Sequence, residues 1–157
     1  MGKLDLDKVP VKYGSIYPDP YAAEMAGRSS LRLGDAGGLT QFGANLVILA
    51  PGTKSSLRHW HMNEDEFVMV TQGSCTLVDD DGAHDMAVGA CAAFPAGVEN
   101  GHHFVNTTDT EARFLVVGSK APAETAYYSD IDMMVEIGGG KAEFTRKDGS
   151  PMPKEGS

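Results

Sequence analysis

Residues 59–73 read HWHMNEDEFVMVTQG. Two histidines stand one residue apart, Glu66 follows His61 after four residues, and an apolar run from Phe67 to Val70 stops at Gly73. In an extended strand successive side chains alternate faces, so His59 and His61 project together and Trp60 projects the other way. Two imidazoles on one face can grip one metal ion, and a carboxylate returning on the next strand can supply a third ligand. Neutral histidines with a carboxylate suit a divalent transition metal that keeps positions open.

A lone His-x-His would read as surface histidines. Here four of the five histidines fall in two short clusters, 59/61 and 102/103. The second cluster has its own frame: Gly89, five residues, Pro95-x-Gly97, four residues, His102, three residues, Asn106. The first has Gly52, six residues, His59-x-His61, four residues, Glu66, six residues, Gly73.

These paired motifs resemble those of the cupin superfamily. Compared with the family pattern, this chain has one extra residue before His59 and two before His102, both in loops. The motifs cover 52–106, and flanking strands extend the likeness to about residue 118. The variant NGHHFVN at 100–106 and the tail FTRKDG at 144–149 resemble small stand-alone bacterial cupins. Some of their relatives are labelled sugar-phosphate isomerases. The resemblance implies an all-β jelly-roll barrel, or double-stranded β-helix. It also implies one six-coordinate divalent ion held by His59, His61, Glu66 and His102, with two positions open. Fe, Mn, Ni, Co, Cu and Zn all suit these donors. Glu64 and Asp65 compete for the carboxylate role, but the apolar run and Gly73 put Glu66 at the matching position. His102 is preferred over His103 because it keeps the three-residue spacing to Asn106. Strand parity then groups His102 with Phe104 and Asn106.

The chain has 157 residues, 41% apolar and 22% charged, which suits one soluble domain over 1–157. Nineteen glycines and eight prolines favour a turn-rich β fold. The barrel is expected over about 30–120, with an N-terminal arm at 1–29 and a C-terminal extension at 121–157. The formal net charge of −9 repels nucleic acid and anionic membranes, so neither is an expected partner. The expected partners are a small-molecule ligand or substrate and a second copy in a homodimer, as in many cupins. The first residues, MGKLDLDKVPVKYG, hold no apolar leader, and Leu6 breaks the myristoylation pattern, so a cytoplasmic setting is expected. Cys75 and Cys91 read as small buried hydrophobes.

Residues 19–27 (DPYAAEMAG) read as a short helix capped by Asp19 with Pro20 in its first turn. Strands are expected at 29–33, 39–50, 57–61, 66–71, 75–78, 83–86, 90–94, 102–106 and 112–118. DDDG at 79–82 reads as an exposed hairpin turn. The apolar stretch 127–137 would pack across the barrel or a partner. A metal-dependent isomerase, lyase or dioxygenase, a non-catalytic ligand sensor and a metal-stapled structural barrel all stay open, since fold alone does not give function. Lys54 and Arg58 are the rim cations for a phosphate, although Arg58 has the wrong parity to share the face of His59. Tyr13, Tyr17 and Glu99 are candidate bases by location only.

Overall fold

The computed structural model describes residues 2–154. Its strands are β1 (Val11–Tyr13), β2 (Arg28–Arg32), β3 (Phe42–Leu49), β4 (His59–His61), β5 (Glu66–Gln72), β6 (Cys75–Asp79) and β7 (Gly82–Met86). They continue as β8 (Cys91–Phe94), β9 (His103–Val105), β10 (Ala112–Ser119), β11 (Ala123–Tyr128), β12 (Met134–Gly138) and β13 (Lys141–Thr145). One sheet has the order β1-β2-β3-β10-β5-β8, a second β13-β12-β11-β4, and a third β7-β6-β9. This is the jelly-roll arrangement. Among the described residues, no helix is long and apolar enough to cross a membrane.

The alternation of β5 shows how the sequence builds the layers. Phe67 is exposed on the outer face, while Val68 and Val70 are buried on the inner one. Register carries the same inner face across the large sheet: Val47 of β3 lies opposite Phe114 of β10, and Phe114 lies opposite Val70 of β5. Cys75 and Leu77 of β6 and Phe104 of β9 close the core from the other side. Complete burial of side chains such as Leu49, Val68 and Phe114 contributes roughly 1.5–3 kcal/mol each. A second apolar cluster joins Tyr128, Met133 and Val135 to Tyr17 and Tyr21 of the N-terminal arm.

Several expectations change. Residues 19–27 form only a 3-10 turn, Tyr21–Met25, and the Asp19 side chain does not cap it. The chain enters β2 at Arg28, which leaves no length for more turns. Part of the turn after β2 is one α-helical turn, Leu33–Ala36. Cys75 is buried, and burial raises its thiol to about 11, but Cys91 is exposed because it begins β8 with outward parity. The stretch 121–145, expected as a peripheral extension, forms three strands. Its strand β11 pairs directly with β4. β12 pairs with β11 on one side and β13 on the other, so these strands are consecutive hairpins, the second turning at Gly139-Gly140; only the β11–β4 pairing is long-range.

Two residues of the motifs hold the frame. Gly73 turns between β5 and β6 at φ +66°, where a Cβ would stand 2.5 Å from the Glu111 carbonyl oxygen. Asn106 is fully buried: its Nδ2 donates to the carbonyls of Leu49 (3.0 Å) and Thr110 (2.7 Å), and its Oδ1 accepts from Thr108 N (3.0 Å) and Oγ1 (2.7 Å). Urea unfolding should show Asn106→Ala losing about 2–4 kcal/mol. Asn106→Asp should do no better, because a carboxylate would face two carbonyls. Gly73→Ala should lose about 1–3 kcal/mol by the same measurement. Unchanged midpoints would refute these roles.

Candidate metal centre

β4 presents His59 and His61 on one face and Trp60 on the other, where Trp60 stacks on Tyr127 of β11 with ring centroids 4.8 Å apart. His59 and His102 form a reciprocal antiparallel backbone pair: His59 N donates to His102 O at 3.2 Å, and His102 N donates to His59 O at 3.0 Å. Residues directly opposite in such a pair project to the same face. Glu66 arrives from the facing sheet, in register with Phe94 of β8 and Gly118 of β10.

The four side chains converge. His59 Nε2 and His61 Nε2 are 3.2 Å apart, Glu66 Oε2 is 3.5 Å from His61 Nε2, and Glu66 Oε1 is 3.0 Å from His102 Nε2. Donor atoms of His59, His61 and Glu66 lie within 4.8 Å of one another. His102 is 2% exposed and its ring lies flat on Phe94, with centroids 3.4 Å apart and planes 3° apart. Phe104 and Asn106, which share its strand parity, are buried with it. His103 takes the other course, its Nδ1 donating to the Ser56 carbonyl at 2.8 Å.

Protonation fits ligation at His59. His59 Nδ1 lies 2.8 Å from the Leu57 carbonyl, which can only accept, so the ring proton sits on Nδ1 and Nε2 offers a lone pair to the cluster. Burial, with the neighbouring imidazoles, pushes His59 down to about 3 and keeps it neutral. Burial opposes charge on His61, but its bond to Glu66 outweighs this and moves it upward. Burial would raise Glu66, yet bonds from His102 and His61 hold it far below the usual carboxylate range. Nδ1 of His61 and of His102 are buried without hydrogen-bond partners, so the polar contacts of these rings lie at their Nε2 ends. A half-buried carboxylate ringed by inward ring nitrogens is a donor set that fits a divalent cation.

The cluster opens into a cavity of about 220 Å³, walled by Val47, Phe104, Phe114 and Val116, with Asn45, Ser55, Ser56 and His103 as polar points. A larger groove of about 420 Å³ is lined largely by apolar groups such as Phe42, Phe67 and Val117 and contains no histidine. Donor chemistry selects the smaller cavity.

Other candidates fall elsewhere. Glu64 accepts the Ala121 N–H at 3.1 Å, and Asp65 accepts that of Ala96 at 2.8 Å, so both serve loops rather than the cluster. His61 and Glu64 also lie near buried Glu124, which itself accepts from the backbone of Met62, Asn63 and Thr125. Lys54 pairs with Glu24 at 2.8 Å. Arg58 chelates Asp130 at 3.0 and 3.1 Å and also pairs with Asp80 of the hairpin turn. Tyr13 is 76% exposed and Glu99 is exposed. Tyr17 lies beside the cavity, but burial raises its phenol and its oxygen accepts from Leu57 N. Missed in the sequence were Lys12, Arg28 and Arg32, which line an adjoining cavity that shares Asn45, Ser55, Ser56 and His59. Their signal is parity: Arg28, Ser30 and Arg32 alternate along β2, and Lys12 lies opposite Ser30 on β1.

The cupin domain family model matches residues 45–118. The crystal structure of a sugar phosphate isomerase of the cupin superfamily from Silicibacter pomeroyi is 64% identical, covers 97% of each chain and superposes with a TM-score of 0.95. A putative sugar phosphate isomerase from Acidithiobacillus ferrooxidans is 26% identical over 82% of this chain and 81% of its own, with a TM-score of 0.72. Protein SchB of Streptomyces halstedii is 35% identical over 86 residues, 54% of this chain and 60% of SchB. The match therefore spans about three-fifths of SchB's length. With the two motifs, the jelly roll and a near-complete superposition on a cupin of 64% identity, this chain belongs to the cupin superfamily.

Proposed function

We propose that this cupin holds one divalent transition metal through His59, His61, Glu66 and His102 and acts on a small polar metabolite as an isomerase of the sugar-phosphate type. The observation that carries the reading is the convergence of three imidazole nitrogens on one half-buried carboxylate at the end of a cavity. The 64% identical sugar phosphate isomerase supports the choice of reaction.

A bound divalent ion supplies Lewis-acid polarisation of a substrate oxygen. The chain's own groups do the rest. The Leu57 carbonyl holds His59 in the tautomer that leaves Nε2 free, and Phe94 fixes the plane of His102. Val47, Phe104, Phe114 and Val116 keep water from that wall of the cavity, which strengthens every charge interaction inside. Asn45, Ser55 and Ser56 can orient substrate hydroxyls. His103, with Nδ1 donated to Ser56, keeps Nε2 as an acceptor for one of them.

After chelation and reloading, His59→Ala/His61→Ala should contain almost no metal by plasma mass spectrometry; full content would reject the ligand set. In a metal titration, His102→Ala should weaken binding more than about 100-fold, whereas His103→Ala should stay close to wild type. The reverse order would mean that the other ring is the ligand. Metal-loaded protein should interconvert an aldose phosphate and its ketose, followed by NMR. No turnover across a sugar-phosphate panel would reject the isomerase and leave a lyase, a dioxygenase or a ligand sensor on the same metal.

A further inference from the structure

The large sheet changes character along its inner face. On β3 the inward side chains run Leu49, Val47, Asn45, from the core to the cavity. Opposite them on β2 stand Arg28, Ser30 and Arg32, and Lys12 stands opposite Ser30 on β1. Three cations thus share one face at the sheet's edge. The cavity they line, about 290 Å³, runs into the metal cavity through Arg28, Asn45, Ser55, Ser56 and His59.

Two facts set this cluster apart from a solvated basic face. First, the chain has 22 acidic and 13 basic residues, yet no carboxylate lines the adjoining cavity. Among the described residues the other inward cations are matched, as Lys54 is by Glu24 and Arg58 by Asp80 and Asp130, whereas no carboxylate pairs with Arg28. Second, Arg28 Nε is buried without a hydrogen-bond partner, and its Nη1 reaches only the Gly14 carbonyl, at a long 3.4 Å. A partly buried guanidinium lacking a counter-charge is costly, and an anion within its reach would offset that cost. The mutual repulsion of the three shows in Lys12, which burial lowers first and Arg32 and Arg28 lower further.

We propose that Arg28, Lys12 and Arg32 form an anion subsite that binds the phosphate dianion of the substrate while its carbon skeleton extends to the His59–His61–Glu66–His102 cluster. This rests on the reading of that cluster as the reacting end. Three cations fit a dianion better than a monocarboxylate, and a planar guanidinium offers paired donors to two phosphate oxygens. The Ser55 and Ser56 hydroxyls and the Asn45 amide lie between the two ends to meet sugar hydroxyls. Selectivity then comes from the distance between a fixed charge and the metal centre, a property of the β1–β2–β3 register.

The test is calorimetric titration of inorganic phosphate into the metal-loaded protein at low ionic strength, with metal content measured in parallel. Wild type should bind phosphate, more weakly as salt rises. Arg28→Gln should bind it at least tenfold more weakly while keeping its metal. Lys12→Gln and Arg32→Gln, at the half-buried and exposed rim, should each lose several-fold, and they decide the matter if Arg28→Gln does not fold. The His59→Ala/His61→Ala protein should still bind phosphate, which separates this subsite from the metal reading. Phosphate binding that survives Arg28→Gln unchanged would overturn the proposal. So would acetate binding as tightly as phosphate, or no phosphate binding by wild type.

Discussion

The reciprocal backbone bonds between His59 and His102 are the constraint on which the site depends. β4 belongs to the sheet built with β11, β12 and β13, and β9 to the sheet built with β6 and β7. The pair joins these two sheets edge to edge, opposite the six-stranded sheet that brings Glu66. An antiparallel pair sets the Cβ atoms of two side chains side by side on one face, leaving only the ring torsions to be fixed. The chain around it is held as well: Arg58 Nη1 donates to the Gly101 carbonyl at 3.0 Å, and Ser129 N donates to the Arg58 carbonyl at 2.9 Å. Arg58, a plausible rim cation by sequence, instead staples the segments that flank both histidines. A site carried on paired strands keeps its geometry better than one carried on loops.

The charge distribution follows from the same parity. The chain is strongly acidic, and most of its carboxylates face outward or accept backbone N–H groups in loops. Glu66 is the exception among the strand residues that face the cavity, and its anionic form persists because His61 and His102 meet it. Toward the β1 edge of the same sheet the adjoining cavity gathers cations and no acids. The interior is therefore polarised along its length. A net charge of −9 describes the outer surface and says little about the field inside.

Both motifs contain residues whose work is architectural. Gly73 allows β5 to turn into β6 where a side chain would strike the Glu111 carbonyl. Asn106 satisfies four polar groups at the end of β3 and in the loop before β10. The spacing from His102 to Asn106 thus couples a ring in the His–Glu cluster to a backbone anchor. Lengthened loops before His59 and before His102 leave that coupling intact, because the added residues precede the paired segment.

By itself the sequence determined what local rules control. Alternation placed His59 with His61 and Trp60 on the other face, the apolar run and Gly73 marked Glu66 rather than Glu64 or Asp65 as the carboxylate candidate, and the distance to Asn106 marked His102 rather than His103 as the imidazole candidate. Most strands from β2 to β10 could be read from runs and turns, since each depends on its own few residues. The tertiary structure alone decided the rest. That β11 pairs with β4, and that Arg28, Arg32 and Lys12 face the cavity while Lys54 and Arg58 are already paired, are matters of contact between distant segments, whereas the hairpins of 123–145 are local, with Gly139-Gly140 turning the second. Period-2 patterns say which residues share a face but not which way that face turns. The inward turn of β1 and β2 is set by the strands beside them, not by their own letters.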